Sequence, residues 1–238
     1  MKEASPFRPR HEWNFRQTAA FHFLRNPLVQ HTWVAAVHFA FRVKKQGEEC
    51  VPARRPLIFP GNHASHYDGL ISSAAVFRII GESPSIVVWG GVRRMPLTRE
   101  MAETGAIPLI LVGEARTPAS GARAVSEMTA HLAAGRSLVM HAEGHRCDRL
   151  GPFKPGAAFA ALRTGTPIVP FTLRGVLGLW NEMPKPNHWR GHVSIHYHPP
   201  IDPADYAHLP TREAVAEITA ELRRRVASAI DYPDECVG

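Results

Sequence analysis

From Pro56 onward, apolar and polar positions follow two rhythms. Short apolar runs at 57–59, 85–89, 106–112, 137–141, 167–173 and 192–198 read as strands. Between and after them, 69–80, 96–104, 119–134, 155–164 and 211–230 space their apolar residues as helices do. The last segment opens with Glu213 and Glu217 and closes on Arg223, Arg224 and Arg225, the sign order that a helix dipole favours. Strands alternating with helices predict an α/β fold: a mostly parallel central sheet flanked by helices. In such sheets ligands gather beyond the carboxyl ends of the strands. The stretch 181–189, with Pro184 and Pro186, reads as a loop.

Upstream of Pro56 rings dominate. Trp13, Phe15, Phe21, Phe23, Trp33, Phe39 and Phe41 fall close together, and Pro27 splits the segment into two short helices, about 11–25 and 28–43. No Asp, Glu, Lys or Arg lies between Asn26 and Phe41, and Arg42, Lys44 and Lys45 follow at once. Of the net charge of +7, residues 1–56 carry +6, from ten basic and four acidic groups. An amphipathic helical pair with cationic flanks suits an anionic bilayer surface. The competing reading is that these helices cover the protein's own core. The predicted organisation is therefore a helical membrane-contacting segment, 1–49, followed by an α/β domain, 50–238.

Composition narrows the class. Of 238 residues, 45% are hydrophobic and 21% charged, which excludes bulk disorder. No run of 18 apolar residues and no export signal is visible, and Cys50, Cys147 and Cys236 form no disulfide framework or zinc pair. The expected location is cytoplasmic, peripheral to the inner face of the membrane. Without a basic repeat or RNA-binding motif, no nucleic-acid partner is expected.

Candidate chemistry begins where the first strand of the α/β pattern ends. Pro56–Pro60 opens into Gly61-Asn62-His63-Ala64-Ser65-His66-Tyr67-Asp68-Gly69. Five residues rotate about 140° on a helix, so His63 and Asp68 meet only if the segment turns, with Asp68 at or near the next helix start. An Asp holding one imidazole nitrogen leaves the other to take a proton from a hydroxyl. A second run ends in His141-Ala142-Glu143-Gly144-His145-Arg146, and Lys154-Pro155-Gly156 follows. His63, His66 and Asp68 lack the close array of a metal hydrolase, no G-x-S-x-G appears, and His141-x-Glu143 has no following P-C-x-x-C. No metal and no cofactor are expected, and His141 reads as a strand-end histidine.

Four blocks in this order resemble the 1-acylglycerol-3-phosphate acyltransferase family of the glycerolipid acyltransferase superfamily. They are Asn62–Asp68 (N-H-x-x-x-x-D), Gly105–Pro108, Glu143–Arg146 (E-G-x-R) and Pro167–Pro170. The resemblance spans about 56–175 and implies transfer of a fatty acyl group from acyl-CoA or acyl carrier protein to a lipid hydroxyl. It implies His63 as general base and Asp68 as its orienting partner. Asn62, Glu143, Gly144 and Arg146 would lie at the substrate, with Lys154 and Arg116 as further cations for an acceptor phosphate. The chain departs from the family in two places. Leu109, Ile110 and Leu111 stand where the second block carries an Arg, and His141-Ala142 replaces Phe-Pro. An acceptor without phosphate, or a non-catalytic membrane- or nucleic-acid-binding module, are the alternatives.

Overall fold

The computed structural model describes Phe23 and residues 26–91, 108–113, 117–180 and 187–234. The expected helices at 11–25 and 96–104 fall, wholly or almost so, outside these residues, as do Arg116 and the Gly105–Ile107 part of the second block.

Helix α1 is Pro27–Phe41. Asn26 caps it, its side-chain oxygen accepting from the Leu28 N–H at 2.9 Å, and Pro27 supplies a preset first position. The helix stops at Arg42, whose φ of 43° is left-handed. Val34, Val37 and Phe41 enter the core. The chain then forms a short edge strand, β1 (Lys44–Gln46), which the sequence reading did not contain. Three polar residues carry no strand signal; pairing with a distant partner makes this one.

The remaining elements follow the expected rhythm: β2 (Ile58–Gly61), α2 (Asp68–Ile80), β3 (Ser85–Trp89), β4 (Leu109–Val112), α3 (Pro118–Ala133), β5 (Leu138–His141), α4 (Gly156–Thr164), β6 (Phe171–Arg174), β7 (Ser194–Tyr197) and α5 (Thr211–Ala227). The seven strands run in the order β1-β7-β6-β2-β5-β3-β4, and every pair is parallel except β6 with β7. Helices flank this sheet. Strand β2 lies between β5 and β6 and is apolar on both faces: Leu57, Ile58 and Phe59 are fully buried, as expected of a central parallel strand. Ala157, Ala158, Ala160 and Ala161 give α4 a small-residue face, which lets its backbone approach the sheet closely.

Val34, Val37 and Phe41 share one buried cluster with the strands, and β1 extends the sheet. The described part of 1–49 is thus packed into the α/β body. Aromatic contacts continue this join toward the first turn after β2: Phe41 to Tyr67 at 4.7 Å and Tyr67 to Trp180 at 4.9 Å between ring centroids.

Candidate active site

Strands β2 and β5 lie in register, Gly61 opposite His141, so the segments following them leave the sheet side by side at its carboxyl edge. Gly61 is required here by space. A Cβ would fall inside the Phe171 ring that packs across from β6. The chain turns sharply after Asn62 and reaches the first residue of α2 at Asp68. That turn solves the angular problem of the five-residue spacing: His63 Nδ1 lies 3.0 Å from Asp68 Oδ2.

Asp68 is fully buried at the N-terminus of its helix. Its Oδ2 also accepts the Ala64 N–H at 2.7 Å and the Ser65 N–H at 2.8 Å, so the carboxylate folds the turn as well as holding the imidazole. The Nδ1 contact fixes the tautomer with the proton on Nδ1, leaving the Nε2 lone pair as the basic position. The His63 side chain keeps 23% of its surface exposed. Burial is the main influence on both groups. It depresses His63, with the Arg146 guanidinium acting next in the same direction, so the ring is neutral near pH 7. It raises Asp68 to about 6, against the pull of His141 and the Ser65 and Ala64 N–H groups.

The β5 segment braces this pair from below. Glu143 is buried, and both its oxygens are engaged: Oε2 accepts the His63 N–H at 2.5 Å and Oε1 the Gly151 N–H at 3.0 Å. Burial lifts its carboxyl to about 7. The His63 carbonyl accepts the Cys147 N–H at 3.0 Å. The Asn62 side chain is turned into the protein interior. Its amide donates to the Leu173 carbonyl (2.9 Å) and Tyr232 Oη (3.0 Å) and accepts the Leu173 N–H (2.7 Å), with no exposed surface. The residues expected at the substrate therefore separate. Asn62 and Glu143 are internal clips, because every polar atom of their side chains already has a protein partner.

Gly144, Arg146 and Lys154 sit on the open side. Gly144 adopts φ 71°, a left-handed turn that favours glycine, and Lys154 Cγ would lie 3.4 Å from a Cβ placed there. Arg146 is half-buried and lowers the proton affinity of both His63 and His66. Lys154 is exposed, with its N–H bound to the Ala142 carbonyl at 2.7 Å.

His141 is the residue the sequence reading missed. Its ring stacks on His63 with centroids 4.5 Å apart and an interplanar angle of 19°. His63, Asp68 and His141 offer potential ligand atoms all within 4.8 Å of one another. In this arrangement Nδ1 of each ring is already engaged, that of His63 with Asp68 and that of His141 with the Asn62 carbonyl. A groove of about 510 Å³ lies elsewhere, lined by His38, Phe39, Arg42, Arg190 and His192.

The sequence model described as Acyltransferase matches residues 42–174, more than half of the chain. The chain is 30% identical over 141 residues to the chloroplastic 1-acyl-sn-glycerol-3-phosphate acyltransferase BAT2 of Brassica napus, a match covering 57% of this chain and 38% of the relative. It is 29% identical over 190 residues to the chloroplastic enzyme LPAT1 of Arabidopsis thaliana, covering 74% and 49%. The chain thus spans less than half the length of either curated relative. The crystal structure of the 1-acyl-sn-glycerophosphate acyltransferase PlsC from Thermotoga maritima shares the fold, with a TM-score of 0.59 at 19% identity over 92% of this chain and 85% of that one. With a sequence model matching more than half of its length, a span that includes His63 and Asp68, the chain belongs to the Acyltransferase family.

Proposed function

We propose that the protein transfers a fatty acyl group from a thioester, acyl-CoA or acyl carrier protein, to the hydroxyl of a 1-acylglycerol-3-phosphate-like lysophospholipid. The 3.0 Å contact between His63 Nδ1 and Asp68 carries this reading. His63 Nε2 takes the proton of the acceptor hydroxyl as its oxygen attacks the thioester carbonyl. The tetrahedral intermediate collapses, the thiolate leaves, and the imidazolium returns the proton to it. A thioester is already activated, so no covalent enzyme intermediate and no cofactor are needed. The Asp68 carboxylate steadies the imidazolium that exists only between these steps. Arg146 and Lys154 supply cations for the acceptor phosphate, Arg146 with the fork geometry that matches its oxygens. A second reading, an acceptor without phosphate, draws support from β4. Leu109 to Leu111 stand there in place of the family's Arg, with Ile110 wholly in the core. Transfer to lysophosphatidate but not monoacylglycerol supports the first reading; the reverse selects the second.

The pH dependence has a fixed sign. The active form pairs neutral His63 with ionised Asp68, and the His63 N–H is best held by ionised Glu143. Both carboxyls are raised by burial, to about 6 and about 7, so protons arrive at a higher pH than on ordinary carboxyls. Activity is expected to fall as pH drops through 7 to 6, the coupled pair setting the apparent midpoint. A kcat/KM profile that stays flat down to pH 5 contradicts this assignment.

Peripheral contact with an anionic membrane is part of the proposal. On α1, Leu28 and Phe39 are 76% and 78% exposed, and Trp189 beyond Trp180 is 75% exposed. Arg42 and Arg190 flank the groove at that end, which places cations beside apolar anchors. No helix among the described residues is long and apolar enough to cross a membrane. Because α1 also packs the core, point changes test this better than deletion. Phe39→Glu with Trp189→Ser should weaken sedimentation with phosphatidylglycerol vesicles at least tenfold, and wild-type binding should fall as salt rises. Unchanged sedimentation would remove the membrane from the account.

A further inference from the structure

We infer that His141 is a positioning residue for the base, clamping the face of the His63 ring and cushioning the charge that ring acquires. The inference rests on the acyl-transfer reading of His63 and assigns a role within it.

Three contacts fix His141 before it touches His63. It ends β5 opposite Gly61, so its backbone is set by the β2–β5 ladder. Its Nδ1 lies 2.7 Å from the Asn62 carbonyl, which requires Nδ1–H as donor and ties the ring to the residue preceding the base. Phe171 meets it edge-on, with centroids 6.0 Å apart at 84°. The absence of a side chain at Gly61 is what admits that phenyl ring. A ring held this way is a rigid surface, and His63 lies flat on it at 4.5 Å and 19°.

The other restraints on His63 leave the motion that this surface blocks. Asp68 grips one ring atom, Nδ1, and Glu143 and Cys147 grip the backbone. A ring pivoting about a single in-plane hydrogen bond still rocks out of plane, swinging Nε2 through an arc. Offset stacking against one face limits that freedom on the side His141 occupies. Burial keeps His141 well below the usual imidazole range, with His63 pushing the same way, so the surface is an uncharged π face at neutral pH. Such a face attracts a cation stacked on it. His63 is cationic only after it has taken the hydroxyl proton, so the attraction favours the transition state over the ground state and acts on kcat.

Three variants of the full chain separate the components. His141→Phe keeps a flat ring but lacks the N–H for Asn62; His141→Asn keeps a donor without the ring; His141→Ala has neither. With saturating acyl-CoA and lysophosphatidate, His141→Ala and His141→Asn should lose roughly 10- to 100-fold in kcat with both KM values within about twofold. His141→Phe should recover most of the loss, because the face is restored. A thermal midpoint accompanies each variant. If His141→Ala retains wild-type kcat, or Phe rescues no better than Asn, the inference falls. A rise in KM at constant kcat also overturns it, placing His141 against substrate instead. The two readings fail separately. A His63→Ala enzyme that still transfers acyl groups overturns the role of His63. An inactive His63→Ala beside a fully active His141→Ala overturns only the role of His141.

Discussion

Replacing His63 with alanine should lower acyl transfer by roughly 10²–10⁴-fold, the usual contribution of a positioned general base. The fold should survive, because the His63 ring lies at the edge of the core with part of its surface open. Its backbone clips to Glu143 and Cys147 do not depend on the side chain. Asp68→Asn should cost a similar factor for a different reason. An amide can replace one acceptor for the Ala64 and Ser65 N–H groups but carries no charge to balance an imidazolium. Thiol release from acyl-CoA in the presence of acceptor measures both. Full activity in His63→Ala, with the chain folded by circular dichroism, would end the proposed mechanism.

The largest effect on stability should come from Asn62→Ala. The substitution removes three buried hydrogen bonds at once and leaves the Leu173 N–H, the Leu173 carbonyl and the Tyr232 hydroxyl without partners. An unsatisfied buried group costs about 1–3 kcal/mol, so a loss of about 3–5 kcal/mol is expected after local relaxation. That is a large fraction of the stability of an ordinary domain, about 5–15 kcal/mol. A urea midpoint reads it directly. The sequence expectation placed Asn62 at the substrate and therefore forecasts the opposite pattern: unchanged stability with a raised KM for the acceptor. The fold argues against that pattern because the Asn62 amide has no exposed surface.

Much of the fold was readable from local pattern. The runs at 57–59 and 137–141 are apolar because their strands are buried in the sheet, while β3 at 85–89 is only partly buried and ends in an exposed Trp89. That burial produces the compact signal separating them from the helical stretches. Strand β1 was hidden because Lys44, Lys45 and Gln46 gain their extended form from β7, some 150 residues away, and the local pattern records no such pairing. The antiparallel direction of β7 against β6, whose paired residues lie 20 to 26 positions apart, also leaves no mark in the local pattern. At the site, His63 and Asp68 were legible as a spaced pair of chemically matched side chains. The clipping roles of Asn62 and Glu143 were not, since an amide or carboxylate beside a catalytic base looks the same in sequence whether it faces substrate or backbone. His141 was visible as a departure from the family's Phe. That an aromatic ring is replaced by another flat ring was the available hint, and only the stacking geometry gives it meaning.

The clip from Asn62 to Tyr232 has a temporal consequence. The base and its carboxylate are separated by five residues and emerge early from a growing chain. Asn62, however, finds its last partner 170 residues later, and the Leu150 N–H waits for the Pro233 carbonyl. A nascent polypeptide therefore carries the reactive histidine long before the cradle that aims it can close. Onset of turnover should follow emergence of the segment around Tyr232 and Pro233, making catalysis itself a readout of when that segment docks.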